Sequence, residues 1–136
     1  MLQAMNTGHD GSMSTIHANT TRDGLTRIEN MVKMGNMGLP SRAIRTQIAG
    51  AVDIIVQVER QRDGGRRITQ VTEICGMEGD VITINDVFKF EIQGEGADGK
   101  LIGHYKVSRV PPAGRHRLAH FGLEEHWHAA LEEAAR

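Results

Sequence analysis

The feature that most constrains the fold is a change of hydrophobic period at Asp53. Before it, apolar residues recur at helical spacing, first Leu25, Ile28 and Val32, then Ile44, Ile48 and Val52. Residues three and four apart share one face of a helix, so each set marks a helix with a buried stripe. After it, Ile54, Ile55, Val56 and Val58 form a near-continuous β-branched run. Such a run is the pattern of a strand covered on both faces. Helices leading into strands make this an α/β chain.

Punctuation along the chain sets the boundaries. Thr20 or Thr21 can cap the first helix through its hydroxyl. Gly35 and Gly38 end that helix and Pro40 starts the next, with Arg42 and Arg45 outside its apolar stripe. Asp63-Gly64-Gly65 is a tight-turn signal, so 68–74 is expected to return as the partner strand. Residues 81–84 read as a short strand of their own. Phe88, Phe90 and Ile92 alternate with Lys89 and Glu91, which predicts a strand with one buried face. A Gly-rich acidic loop over 93–100 leads to a last strand over 101–107. Pro111-Pro112 breaks the pattern. Two short helices follow, divided at Gly122, the second carrying Trp127 and Leu131 four residues apart.

The chemistry concentrates near the start, in Thr7-Gly8-His9-Asp10-Gly11-Ser12-Met13-Ser14-Thr15-Ile16-His17-Ala18-Asn19-Thr20. The residues before it, 1–6, read as the last turns of a helix. Gly8 and Gly11 bracket His9 and Asp10 with residues that tolerate positive φ, which predicts a turn. Ser12 to Ala18 carries residues comfortable in a strand, which puts His17 at its far end, where ligand loops of α/β sheets lie. An imidazole beside a phosphate can orient a water or stabilise developing charge without being a strong base. The bland alternative is a pair of strand-end histidines with ordinary hydrogen bonds.

This segment resembles the histidine box of the type II/type IV secretion ATPase superfamily. Its continuation, TTRDGLTRIENMVKMGNMGLPSRAIRTQIAGAVDIIVQVERQRDGGRRITQVTEICG, resembles the tight-adherence (Flp) pilus-assembly branch. The resemblance runs from residue 1 to about 112. It implies the C-terminal part of a RecA-like P-loop ATPase domain over 1–110, with an antiparallel β extension, and a small helical pair over 111–136. It further implies catalytic roles for His9 and His17 on the γ-phosphate side of ATP, with Thr7, Gly8, Asp10, Gly11 and Thr15 shaping the turn. Relatives use ATP with Mg²⁺, form hexameric rings in the cytoplasm, and work under an inner-membrane pilus or secretion platform. One departure matters: no G-x-x-x-x-G-K-[ST] phosphate loop occurs in these 136 residues, and the family's acidic box and Walker B are missing too. The expectation is a motor portion inactive by itself, binding neither ATP nor Mg²⁺ alone. Two alternatives stand beside it. The chain could be a non-catalytic interaction module, or a gene remnant, that packs on a separate Walker-bearing half. His9-Asp10 could instead belong to a metal-dependent phosphohydrolase, although that fold is helical and His17 sits in a β-favouring run.

Composition trims the other classes. Sixteen basic residues against seventeen acidic ones give no field for general nucleic-acid binding, which depends on counterion release. There is no apolar run of membrane-spanning length, and the single Cys75 can form neither an internal disulfide nor a Cys-based zinc site. With no secretory signal pattern, cytoplasmic residence is expected. Arg60, Arg62, Arg66 and Arg67 crowd the predicted hairpin and read as a solvated tip. His116 and His120 lie four apart, with His126 and His128 nearby. Nothing completes a metal site around them, so no metal is expected.

Overall fold

The structure is a computed structural model, described here for residues 2, 11–35 and 38–136. Helix α1, Thr21–Gly35, and helix α2, Ser41–Ala51, precede four strands: β1, Ile54–Arg60; β2, Arg66–Glu78; β3, Val81–Glu95; and β4, Leu101–Val107. Two short helices follow, α3, Arg115–His120, and α4, Glu124–Ala134. The strands pair in chain order, β1-β2-β3-β4, as one antiparallel sheet. The chain is thus mixed α/β.

The chain divides into two compact units, Met1–Ile55 with Ile74–Ile84, and Val56–Glu73 with Asn85–Arg136. The first unit holds the main apolar cluster. Leu25 from α1, Ile44 and Ile48 from α2, Ile74 from β2 and Ile82 from β3 are all buried. Ile28, Val32 and Val52, the remaining members of the two helical stripes, pack partly buried against them. The stripes read from the sequence are therefore the faces that pack. Residues of this kind contribute about 1.5–3 kcal/mol each when fully buried.

The second unit is built on two hairpins and the C-terminal helices. The β1–β2 turn closes with Gly64 at φ +84°, in the left-handed region that glycine adopts freely. Asp63 organises it. Its Oδ1 accepts the Gly65 N–H at 2.9 Å, and its Oδ2 accepts the Leu101 N–H at 3.0 Å, from the first residue of β4. In β3–β4, Phe90 faces Tyr105 and Phe88 faces Val107, with a register shift between Ile92 and Gly94. The Phe90 and Tyr105 rings lie 5.3 Å apart at 59°, a tilted pairing that aromatic quadrupoles favour. Gly122, φ +67°, divides the two terminal helices as expected.

Three expectations are corrected. The segment 12–18 forms no strand; residues 11–18 have no regular secondary structure. A strand needs a neighbour to take its N–H and C=O groups, and the four strands of the sheet lie elsewhere in the chain. The β1 run is covered on one face only, since Ile54, Val56 and Val58 are 58%, 51% and 60% exposed. Its alternation follows from packing on one face of the strand only, which tertiary context and not composition decides. The strand expected over 81–84 and the one through Phe88 are a single strand, β3. Asn85 and Asp86, which ordinarily break strands, are held in it. Asp86 Oδ1 accepts hydrogen bonds from Gln70 Nε2 and Thr72 Oγ1, each at 2.7 Å, and Ser108 Oγ donates to Asn85 Oδ1 at 3.2 Å.

Candidate functional site

The histidine segment joins the rest of the molecule at the N-terminus of α1. Thr20 Oγ1 accepts the Asp23 N–H at 3.0 Å, and Asp23 Oδ2 accepts the Asn19 N–H at 3.1 Å. The pair resembles a capping box, with the return bond going to the residue before the cap, and it fixes where α1 begins. The hydroxyl cap expected at Thr20 or Thr21 is Thr20. Thr21 is buried. Arg22 Nη1 donates to the Ile82 carbonyl at 2.7 Å, which ties this end of the helix to β3.

Upstream of the cap, Gly11 has φ +87°, a conformation that favours glycine, as the turn reading required. Residues 12–17 are exposed, Thr15 and His17 among them. Thr7, Gly8, His9 and Asp10 lie outside the described residues. His17 precedes the first residue of α1 by four positions and faces solvent. Its imidazole is available to a ligand.

Other charged groups singled out in the sequence prove to be engaged. Arg45 Nε lies 3.0 Å from Glu29 Oε2, and its Nη1 donates to the Asp80 carbonyl at 2.9 Å. Lys33 reaches the other Glu29 oxygen at 3.0 Å. Burial pushes the Glu29 carboxyl up, but hydrogen bonds from Arg45 and Lys33 and their charge outweigh it. The carboxyl is left below its ordinary value. Arg42 pairs with Asp80 at 3.5 Å on the surface. Of the hairpin arginines, Arg62 pairs with Glu95 at 3.0 Å. Arg67 pairs with Asp63 at 3.2 Å and lies 4.8 Å over the Phe90 ring, a favourable cation–π position. Arg60 and Arg66 are exposed. The basic tip is therefore only partly a solvated one.

Asp63 and Glu29 were missed as organising residues. Both left a signal: an acidic residue two before a turn glycine makes an Asx turn, and Glu four residues before Lys makes a helical pair. Hydrogen bonds from the Leu101 and Gly65 N–H groups, with the Arg67 charge, hold the Asp63 carboxyl below its ordinary range. His116, His120, His126 and His128 are all exposed. Among the described residues no group of three His, Cys, Asp or Glu is placed to hold a metal ion. Nor is any helix among them long and apolar enough to cross a membrane.

The chain resembles known proteins over its first two thirds. Conjugal transfer protein TrbB of Rhizobium radiobacter is 40% identical over 76 residues, covering 56% of this chain and 22% of that protein. A protein of Mycobacterium tuberculosis, also named for conjugal transfer, is 37% identical over 81 residues, 60% of this chain and 22% of its own length. The chain thus spans about a fifth of the length of the curated relatives it matches. Residues 1–90, the histidine segment and on into β3, match the family of Type II/IV secretion system proteins. The chain belongs to that family.

Proposed function

We propose that this chain is the C-terminal portion of an ATP-hydrolysing motor for protein secretion or pilus assembly, and that it supplies the histidine segment on the γ-phosphate side of the nucleotide. The observation that carries the reading is the family match over residues 1–90. In this reading His9 and His17 act on the transferring phosphate, and Thr7, Gly8, Asp10, Gly11 and Thr15 shape the turn that presents them. The exposure of His17 and the positive φ of Gly11 suit that role. Phosphoryl transfer depends on positioning and charge stabilisation more than on covalent chemistry, so imidazole donors suffice. ATP is the substrate, and Mg²⁺ belongs with it in the intact motor.

The remaining parts of the reading follow from the resemblance. Residues 1–110 would belong to a RecA-like domain, with 111–136 as an appended helical pair. The motor would be a hexameric ring on the cytoplasmic side of an inner-membrane platform. The tight-adherence pilus branch is the narrower reading, and conjugal transfer, after which the relatives are named, is its competitor within the family. A second class of function keeps one observation in its favour. Met13 is 95% exposed and Ile16 37% exposed, as expected of a module that packs on a separate Walker-bearing half.

The test is turnover with and without that half. The chain alone is expected to give no steady ATP hydrolysis and no micromolar ATP binding by calorimetry, because it lacks the backbone N–H cradle and lysine of a phosphate loop. Co-purified with a Walker-bearing partner, it is expected to hydrolyse ATP. Micromolar binding by the lone chain, or a complex without turnover, would overturn the motor reading.

A further inference from the structure

We infer that the cleft between the end of β4 and the two C-terminal helices is a binding site for a small zwitterion, a molecule with a carboxylate and an ammonium on an apolar body. The cleft lies wholly among residues 107–135, within the second unit. It is outside the family match over 1–90, so the inference adds a site and does not rest on the motor reading. Val110, Pro112, Leu118, Trp127 and Leu131 give it apolar walls around a volume of about 460 Å³. That is the room of a small-molecule site.

The apolar part of the occupant is argued from burial. Trp127 and Leu131 lie four apart on α4 and share a face, and Leu118 of α3 joins them at the cleft. Large apolar side chains ordinarily close on one another. Yet all three are only half-buried, and no residue of either helix is buried. An apolar body in the cleft covers what the fold leaves half-covered.

The charged part is argued from the rim. Arg109 and Arg115 come from the loop after β4 and the start of α3, Glu124 and Glu132 from α4. All four are exposed, and among the described residues none of their side chains has an ion pair or a hydrogen bond. Elsewhere on the surface, opposite charges do meet: Arg42 with Asp80 at 3.5 Å, Arg62 with Glu95 at 3.0 Å. Around the cleft they stay apart. Guanidinium groups select a carboxylate, which each can hold bidentately, and carboxylates select an ammonium. An anion alone would meet Glu124 and Glu132, a cation alone the two arginines, and like charges disfavour both. A zwitterion satisfies the whole rim. Free apolar amino acids and short apolar peptides share this chemistry.

Trp127 is the only tryptophan of the chain, so its fluorescence reports on the cleft. The full chain is titrated with leucyl-phenylalanine, its N-acetyl form, its C-terminal amide and free phenylalanine, with calorimetry alongside. The dipeptide is expected to change the emission saturably with a Kd below about 1 mM, and each blocked form to bind at least about fivefold more weakly. Arg115→Gln and Glu132→Gln should each weaken the dipeptide at least about threefold. Glu132→Gln should leave the affinity for the N-acetyl form unchanged, since that form has no ammonium to lose. Circular dichroism of both variants should match the parent, because the replaced side chains are exposed. Phenylalanine binding as tightly as the dipeptide supports an amino-acid occupant, and weaker binding supports a peptide. No saturable binding of either zwitterion by emission or by calorimetry would overturn the inference. So would a blocked form that binds as tightly as its parent, or a dipeptide affinity unmoved by both substitutions. None of these measurements involves ATP, so failure here leaves the motor reading standing.

Discussion

Glu29 shows how much one side chain can decide. It is buried on α1, between Lys33 and Arg45, and its folded pKa lies below the ordinary 4.5. A lowered carboxyl contributes stability that is complete above its unfolded value and drains away as pH falls through the folded one. The urea midpoint is therefore expected to fall between pH 7 and pH 3, and to fall less in Glu29→Gln. At pH 7, Glu29→Ala should cost about 1–3 kcal/mol, since it leaves the Arg45 guanidinium without its carboxylate. An identical acid profile for Glu29→Gln would remove Glu29 from this role. His17 is the opposite kind of residue, exposed and idle in the fold. In the assembled motor, His17→Ala is expected to lower kcat by about a hundred- to a thousand-fold, as loss of a transition-state donor does, with little change in KM. Because its side chain supports no packing, the thermal midpoint of the lone chain should not move. Equal turnover by the variant would return His17 to the solvent-facing role it has in the chain alone.

At the scale of elements, β3 is where local rules and tertiary context disagree most plainly. Asn85-Asp86 is a turn signal by composition, and it led to two strands where one exists. What overrides it is the pair of donors brought alongside by β2, and no reading of residues 81–95 by themselves could have supplied them. Asp86→Ala is expected to destabilise the chain by about 2–3 kcal/mol, because the fully buried Thr72 hydroxyl loses its acceptor. Urea denaturation would check this, and a change below 0.5 kcal/mol would mean that the hydroxyl finds another partner. Helices α1 and α2 were legible because their boundaries are written locally, in Thr20, Pro40 and the glycines. Thr20→Ala should accordingly cost about 1 kcal/mol, measured by the same unfolding curves. The histidine segment was legible in its residue types and its Gly11 turn. Its strand reading failed, since pairing depends on a neighbour that a one-dimensional pattern does not contain.

For the molecule as a whole, the capped start of α1 has a thermodynamic consequence for the segment before it. The helix is fixed at Thr20, so any rearrangement of residues 12–18 stops there and leaves α1 wound. Fixing a residue's backbone costs about 1–2 kcal/mol of conformational entropy, so a neighbour that draws this segment into a ladder must return that for every residue it newly fixes before any affinity remains. Association and ordering of the histidines are then one equilibrium, and a weakly held neighbour would leave His17 as the structure has it, exposed ahead of an already finished helix.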